Sequence, residues 1–188
     1  YRVPIKEAEV DREVSRFREA LEATQKQLMT LRDQVRRAMG DEYASIFEAH
    51  AMILSDPSFD EKVIQKIEEE QVNAEWAVAE VQGELEARFG SFENEYLRER
   101  GDDIKDVSQS LLKNLQGISH HDFSEIHHDV IILADDLTPS DTVRFNRRPV
   151  VGFGTEAGGR TSHASIIAKS LFLPAVIGIP RLTEVIDN

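Results

Sequence analysis

Residues 158–178 read GGRTSHASIIAKSLFLPAVIG. Gly158 and Gly159 free the backbone for a loop, Thr161 and Ser162 open a helix that runs from His163 to about Leu171, and Pro174 leads into a strand at Ala175–Ile177. A histidine in the first turn of a helix lies among unpaired backbone N–H groups at the positive end of the helix dipole, where an anion is favoured. Neutral imidazole, with an ordinary pKa of about 6.5, also offers a ring-nitrogen lone pair near pH 7, so nucleophile and anion site coincide at His163. Position alone favours a plainer reading, in which the histidine is a partly exposed, hydrogen-bonded surface residue.

Working upstream, Val130–Ala134 is a continuous apolar run of the kind buried on both faces of a sheet. Thr138-Pro139-Ser140-Asp141 gives a helix start, and a short helix is expected to reach about Asn146, followed by a strand at Val150–Phe153. Strand, helix, strand, helix, strand within about sixty residues is an α/β unit, assigned to residues 129–188.

The first 117 residues carry a different period. Val10, Val14, Phe17, Leu21, Thr24, Leu28, Leu31, Val35 and Ala38 alternate spacings of four and three, a heptad seam on one helix from Glu7 to Met39 that stops at Gly40. A second helix starts near Asp41 or Glu42 and ends at Asp56-Pro57. Asp56 then competes with the Ser58–Glu61 pair to cap a third, carrying Phe59, Val63 and Ile67. Asn73 is placed to cap a fourth, broken by Gly90. A fifth runs from Phe92 to Leu115, with Gly101 as an interruption point and Gly117 as its close. Long helices on short turns predict an antiparallel bundle over residues 1–117. Residues 118–128 read as a polar linker with His120, His121, His127 and His128, but adjacent histidines do not readily aim at one ion, and no metal site is expected. The fold class is thus α plus α/β: a helical bundle, then a small α/β domain incomplete at both ends.

Charge and composition narrow the function. Residues 1–119 hold 26 acidic and 16 basic side chains, and the remainder nine and six. Phosphate-backbone binding needs clustered basic groups, so nucleic acid is not an expected partner, whereas a basic protein suits the acidic bundle. No apolar run is long enough to span a membrane, and without cysteine there is no disulfide, thiolate metal site or cysteine nucleophile, as suits a reducing cytoplasm. Ser162 lacks the Gly-x-Ser-x-Gly elbow of a serine hydrolase, and no Walker-type loop is present.

The string from Gly158 to Gly178 closely resembles the phosphohistidine signature of the phosphoenolpyruvate-using phosphotransferases: Enzyme I of the sugar phosphotransferase system, pyruvate phosphate dikinase and phosphoenolpyruvate synthase. The segments from Phe47 to Leu54 and from Leu137 to Thr142 resemble Enzyme I in particular, whose helical subdomain docks the phosphocarrier HPr. The resemblance implies that His163 carries the phosphoryl group on Nε2 and that the Thr142 hydroxyl holds its Nδ1. Gly158, Gly159, Arg160, Thr161 and Ser162 would then surround the phosphoryl oxygens. It implies a docking surface drawn from Asp41, Glu42, Tyr43, Phe47, His50 and Met52, although the apolar face around His50 equally suits a packed core histidine. It further implies a domain that swivels between donor and acceptor, with phosphoenolpyruvate and magnesium bound in a separate carboxy-terminal barrel that dimerises. No cofactor is implied for this chain, which is expected to be a fragment. Lys169 stands where arginine is commoner, and Pro57-Ser58 replaces an often acidic stretch, so the nitrogen-regulatory branch stays open beside the sugar branch. A dikinase or synthase fragment and a non-catalytic acidic interaction module are the competing readings.

Overall fold

The computed structural model describes residues 1–92, 95–118, 127–137, 141, 150–159, 163–170 and 172–185. By compactness the chain divides into two units, Tyr1–Asp33 with Ser45–His120 and Gln34–Ala44 with His121–Asn188. The sequence boundary after residue 117 instead keeps residues 34–44 with the bundle.

Among the described residues, a short 3-10 turn at Glu7–Glu9 and five α-helices precede the sheet: α1 (Val10–Met39), α2 (Asp41–Leu54), α3 (Pro57–Glu70), α4 (Ala74–Gly90) and α5 (Glu95–Leu115). The heptad seam of α1 buries Phe17, Thr24, Leu28 and Leu31. Gly40, at φ +96°, takes the left-handed conformation that separates α1 from α2 with a single residue. Asp56 wins the competition to cap α3, its carboxylate accepting from the Ser58 N–H at 2.9 Å with Pro57 in the first turn. Asn73 precedes α4 but makes no side-chain cap, because its Oδ1 accepts from the Val3 N–H at 2.8 Å. The Ala74 N–H, near the bare end of α4, is taken up by Glu13 of α1 at 2.7 Å. Gly101 does not interrupt α5.

Polar contacts tie the helices pairwise. Lys66 of α3 reaches Glu84 of α4 at 3.0 Å across an antiparallel hairpin, and that bond holds the lysine pKa above its ordinary value. Between α1 and α5, Asn114 donates to the Thr24 hydroxyl at 2.7 Å and exchanges reciprocal amide bonds with Gln27 at 3.1 Å. Gln25 of α1 donates to the Leu54 carbonyl at the end of α2, at 2.9 Å.

The second unit holds a parallel three-stranded sheet in the order β1 (Val130–Ala134), β2 (Val150–Thr155), β3 (Ala175–Ile177). β2 runs two residues beyond its expected end. Helix α6 (His163–Ser170) joins β2 to β3, and an unanticipated short helix α7 (Leu182–Val185) follows. One face of the sheet packs on α6 through Ile132, Val150, Phe153, Ala168 and Ile177. The other face corrects the sequence reading, since β1 alternates half-buried and exposed side chains and is not buried on both sides. Ile131 is 66% exposed and Val176 61%. On this face the central strand supplies only glycines, Gly152 pairing with Ile131 and Gly154 with Leu133 and Val176, and the side chains that reach over Gly154 are those of Leu133, Ile179 and Leu182. A Cβ at Gly152 would stand 2.9 Å from the Pro174 carbonyl oxygen, which fixes glycine there. The short helix expected at 138–146 lies outside the described residues apart from Asp141.

Candidate functional site

Three strands end together, and the predicted phosphoryl loop grows from their carboxyl ends, where open α/β sheets place their ligands. After Ala134 and Thr155 the backbone pairing of β1 and β2 continues, the Glu156 N–H donating to the Ala134 carbonyl at 3.2 Å and the Ala157 N–H to the Asp135 carbonyl at 2.7 Å. Thr155 is buried and sits at the junction. Its carbonyl accepts from the N–H groups of both Gly178 and Ile179 at 3.0 Å, and its hydroxyl donates to the Ala157 carbonyl at 2.8 Å. One residue therefore ties the end of β2, the start of the glycine loop and the turn after β3.

Gly158 takes φ +97° and Gly178 φ +79°, conformations that disfavour any other residue. They also approach each other: a Cβ on Gly178 would lie 3.6 Å from the Gly158 carbonyl oxygen. Gly159 differs, since a Cβ there would meet nothing within 4 Å. Four residues on, the described part of α6 begins at His163, where the sequence predicts a helix. The His163 side chain, and Thr142, Arg160, Thr161 and Ser162 altogether, lie outside the described residues. The expected Thr142–His163 contact is therefore not described.

Beside the loop, the Thr183 hydroxyl lies 2.8 Å from Asp135 Oδ1 and 2.7 Å from Glu156 Oε1, while the Thr183 N–H donates to the same Glu156 oxygen at 2.7 Å. The hydroxyl and then the amide of Thr183 hold the Glu156 carboxyl below its ordinary pKa. Among the described residues no three His, Cys, Asp or Glu side chains are grouped as a metal ion would need. Among the described residues, a groove along α6 and β3 is lined by Ser165, Ala168, Lys169, Leu173, Ala175 and Ile177.

The expected docking residues on α2 separate by burial. Asp41 and Glu42 are exposed, Asp41 accepting from Arg36 at 2.6 Å, and Tyr43 is half-buried. Met52 is 74% exposed. Phe47 and His50 lie inside: Phe47 is fully buried and its ring meets the His50 ring edge-on at 6.1 Å. His50, 2% exposed, places Nε2 3.2 Å from Oδ1 of Asp103 on α5. The packed, hydrogen-bonded reading of His50 is the one its geometry fits. Sequence reasoning did not single out Thr155, Thr183 or Asp103, because each depends on a partner remote in the chain.

Two family models match the chain. The family described as "PEP-utilising enzyme, N-terminal" matches residues 2–100, and "PEP-utilising enzyme, mobile domain" matches residues 126–188. A relative named phosphoenolpyruvate-protein phosphotransferase, from Priestia megaterium, is 45% identical over 96% of this chain and 31% of its own length. The chain thus spans about a third of the curated relatives it matches. An Enzyme I protein solved by NMR superposes with a TM-score of 0.81 at 39% identity, covering 100% of this chain and 75% of that one. The N-terminal domain of a nitrogen Enzyme 1 shares the fold, with a TM-score of 0.72 at 24% identity over 95% of this chain and 71% of that one.

Proposed function

Since the chain belongs to the PEP-utilising enzymes, in their Enzyme I branch, we propose that it is the phosphohistidine part of a phosphoenolpyruvate-protein phosphotransferase. His163 accepts a phosphoryl group that originates from phosphoenolpyruvate and passes it to a histidine of an HPr-type phosphocarrier. The observation that carries this reading is the convergence of three strand ends on Thr155, Gly158 and Gly178, from which the glycine loop leads into α6 at His163.

Each step has a residue. Nε2 of His163 attacks phosphorus in line, forming the new N–P bond as the donor's P–O or P–N bond breaks, and the reverse path serves the acceptor histidine. The Thr142 hydroxyl holds Nδ1 and fixes the tautomer that leaves the Nε2 lone pair free. Backbone N–H groups at Gly158, Gly159, Thr161 and Ser162 surround the phosphoryl oxygens, with Arg160 as charge partner. The chain itself needs no cofactor for exchange between histidines. Magnesium belongs with the carboxy-terminal barrel, where it would neutralise phosphoenolpyruvate, and the same barrel brings dimerisation. The α/β part swivels between that donor and HPr, and the whole works in the cytoplasm. HPr docks on the exposed side of α2, where Met52 supplies an apolar anchor and Asp41, Glu42 and Tyr43 lie on the same helix, with Phe47 and His50 supporting from beneath.

The test mixes the chain with phosphorylated HPr from Bacillus subtilis and follows intact mass. One phosphoryl group should transfer, stable in alkali and lost in acid, and His163→Ala should take none. Folded chain that stays unmodified, or an alanine variant labelled as fast as the parent, would sink the proposal.

A further inference from the structure

The geometry points to Asp103 as a positioning residue for partner docking, acting through His50; this rests on the reading of α2 as the docking helix. Successive residues of an α-helix are about 100° apart, so Met52 points about 200° away from His50. The two exposures agree, His50 at 2% and Met52 at 74%. Whatever fixes the azimuth of His50 therefore aims Met52.

Apolar packing contributes to that azimuth, since Ala44, Phe47 and Leu54 are buried on the same side of α2 as His50. Ile46, Ala49, Ala51 and Ile53 flank that face half-buried, and such apolar contacts are non-directional. The bond from Gln25 reaches the Leu54 carbonyl at the helix end, where carbonyls point along the axis, so it sets axial position more than rotation. The His50–Asp103 contact is different, because it joins a buried ring nitrogen to a buried carboxylate at 3.2 Å, a directional bond between two helices. A buried polar pair of this kind carries a desolvation cost that a well-packed apolar pair avoids, and its best-attested use is to specify one arrangement.

The experiment measures initial rates of phosphoryl exchange with phosphorylated B. subtilis HPr, resolving half-saturating concentration from maximal rate, with a thermal melt on each variant. Asp103→Ala is expected to raise the half-saturating concentration at least five-fold while the maximal rate stays within two-fold. Asp103→Asn, which keeps an acceptor oxygen for Nε2–H, should restore most of the loss. The double variant His50→Leu, Asp103→Leu should melt no lower than the parent yet dock at least five-fold more weakly, a separation that a merely structural pair would not produce. Unchanged half-saturation in a folded Asp103→Ala chain overturns the inference, and so does a double variant that fails to fold, since the pair would then serve stability. If the parent is not labelled at all, or Met52→Ala docks as well as the parent, the docking reading itself fails and takes this inference with it.

Discussion

Thr155→Val is the sharpest test of how the strand ends hold the glycine loop. Valine keeps the β-branched shape and the strand preference, so the perturbation is the hydroxyl alone. What disappears is one bond, from Thr155 Oγ1 to the Ala157 carbonyl at 2.8 Å. A neutral hydrogen bond contributes about 0.5–1.5 kcal/mol net, and because Ala157 is exposed its carbonyl can turn to water, which places the loss at about 0.5–1 kcal/mol. The backbone bonds from Gly178 and Ile179 to the Thr155 carbonyl remain, so the sheet should survive. If the bond serves to hold the loop ready for phosphate, the same free energy appears in the rate, and His163 should be labelled about two- to five-fold more slowly. Rapid-quench labelling from phosphorylated HPr and urea unfolding measure the two quantities side by side, with Thr155→Ser close to the parent in both. Full-rate labelling by a Thr155→Val chain that has lost the expected stability would show that the hydroxyl does not order the loop.

Gly178→Ala should cost about 1–3 kcal/mol through backbone strain at φ +79°, since the 3.6 Å approach to Gly158 leaves room for the methyl; an unshifted denaturation midpoint would contradict the left-handed turn. Ser108→Ala should stabilise the bundle by up to about 1 kcal/mol, because the buried hydroxyl has no hydrogen-bond partner among the described residues and alanine is the better helix former; a lower melting temperature would mean the hydroxyl is bonded after all. Glu156 contributes pH-dependent stability of a definite sign: its folded pKa lies below the ordinary 4.5, so the contribution is present above that value and is lost as pH falls through the folded pKa. In Thr183→Val the Glu156 carboxyl should titrate closer to 4.5 in a carbon-13 NMR experiment, though not fully, because the residue 183 amide still donates; a titration unmoved by the substitution would assign the shift elsewhere.

Much of the architecture is legible because it rests on local signals. The four-three spacing of α1, the turn at Gly40 and the Asp56-Pro57 start of α3 need only neighbours within a turn or two. What escapes is decided across the chain. Asn73 has the composition of a cap, yet its oxygen goes to Val3, a competition invisible until the amino-terminal segment is placed beside it. β1 has the composition of a strand buried on both faces, but which face is covered depends on the glycines of β2 that register beside it. The site divides in the same way: the glycine loop and the helix start at His163 are written in consecutive residues, whereas Thr155 reads as an ordinary strand residue until Gly178 and Ile179 arrive at its carbonyl. His50 showed both an apolar neighbourhood and a family pattern, and only the carboxylate on α5 distinguishes a residue beneath the surface from one on it.

Helix α5 shows how polar contacts order a bundle. Asp103 and Asn114 are eleven residues apart, which at about 100° per residue is three turns and about 20°, so both lie on one stripe about 16 Å apart. Asp103 meets His50 of α2, and Asn114 meets Thr24 and Gln27 of α1. An apolar stripe built from Ile104, Val107 and Leu111 would accept its neighbours at several heights, because one leucine-sized ridge fits a groove much like the next. Polar groups do not tolerate such a slide, since a shift of one turn, about 5.4 Å, leaves each donor and acceptor buried without its partner. α1 and α2 are therefore each keyed to α5 at a separate height by polar contacts. Ser108, buried between them but more than a third of a turn off the stripe, keys nothing, which is why its hydroxyl can be removed while Asp103 and Asn114 cannot be exchanged for it.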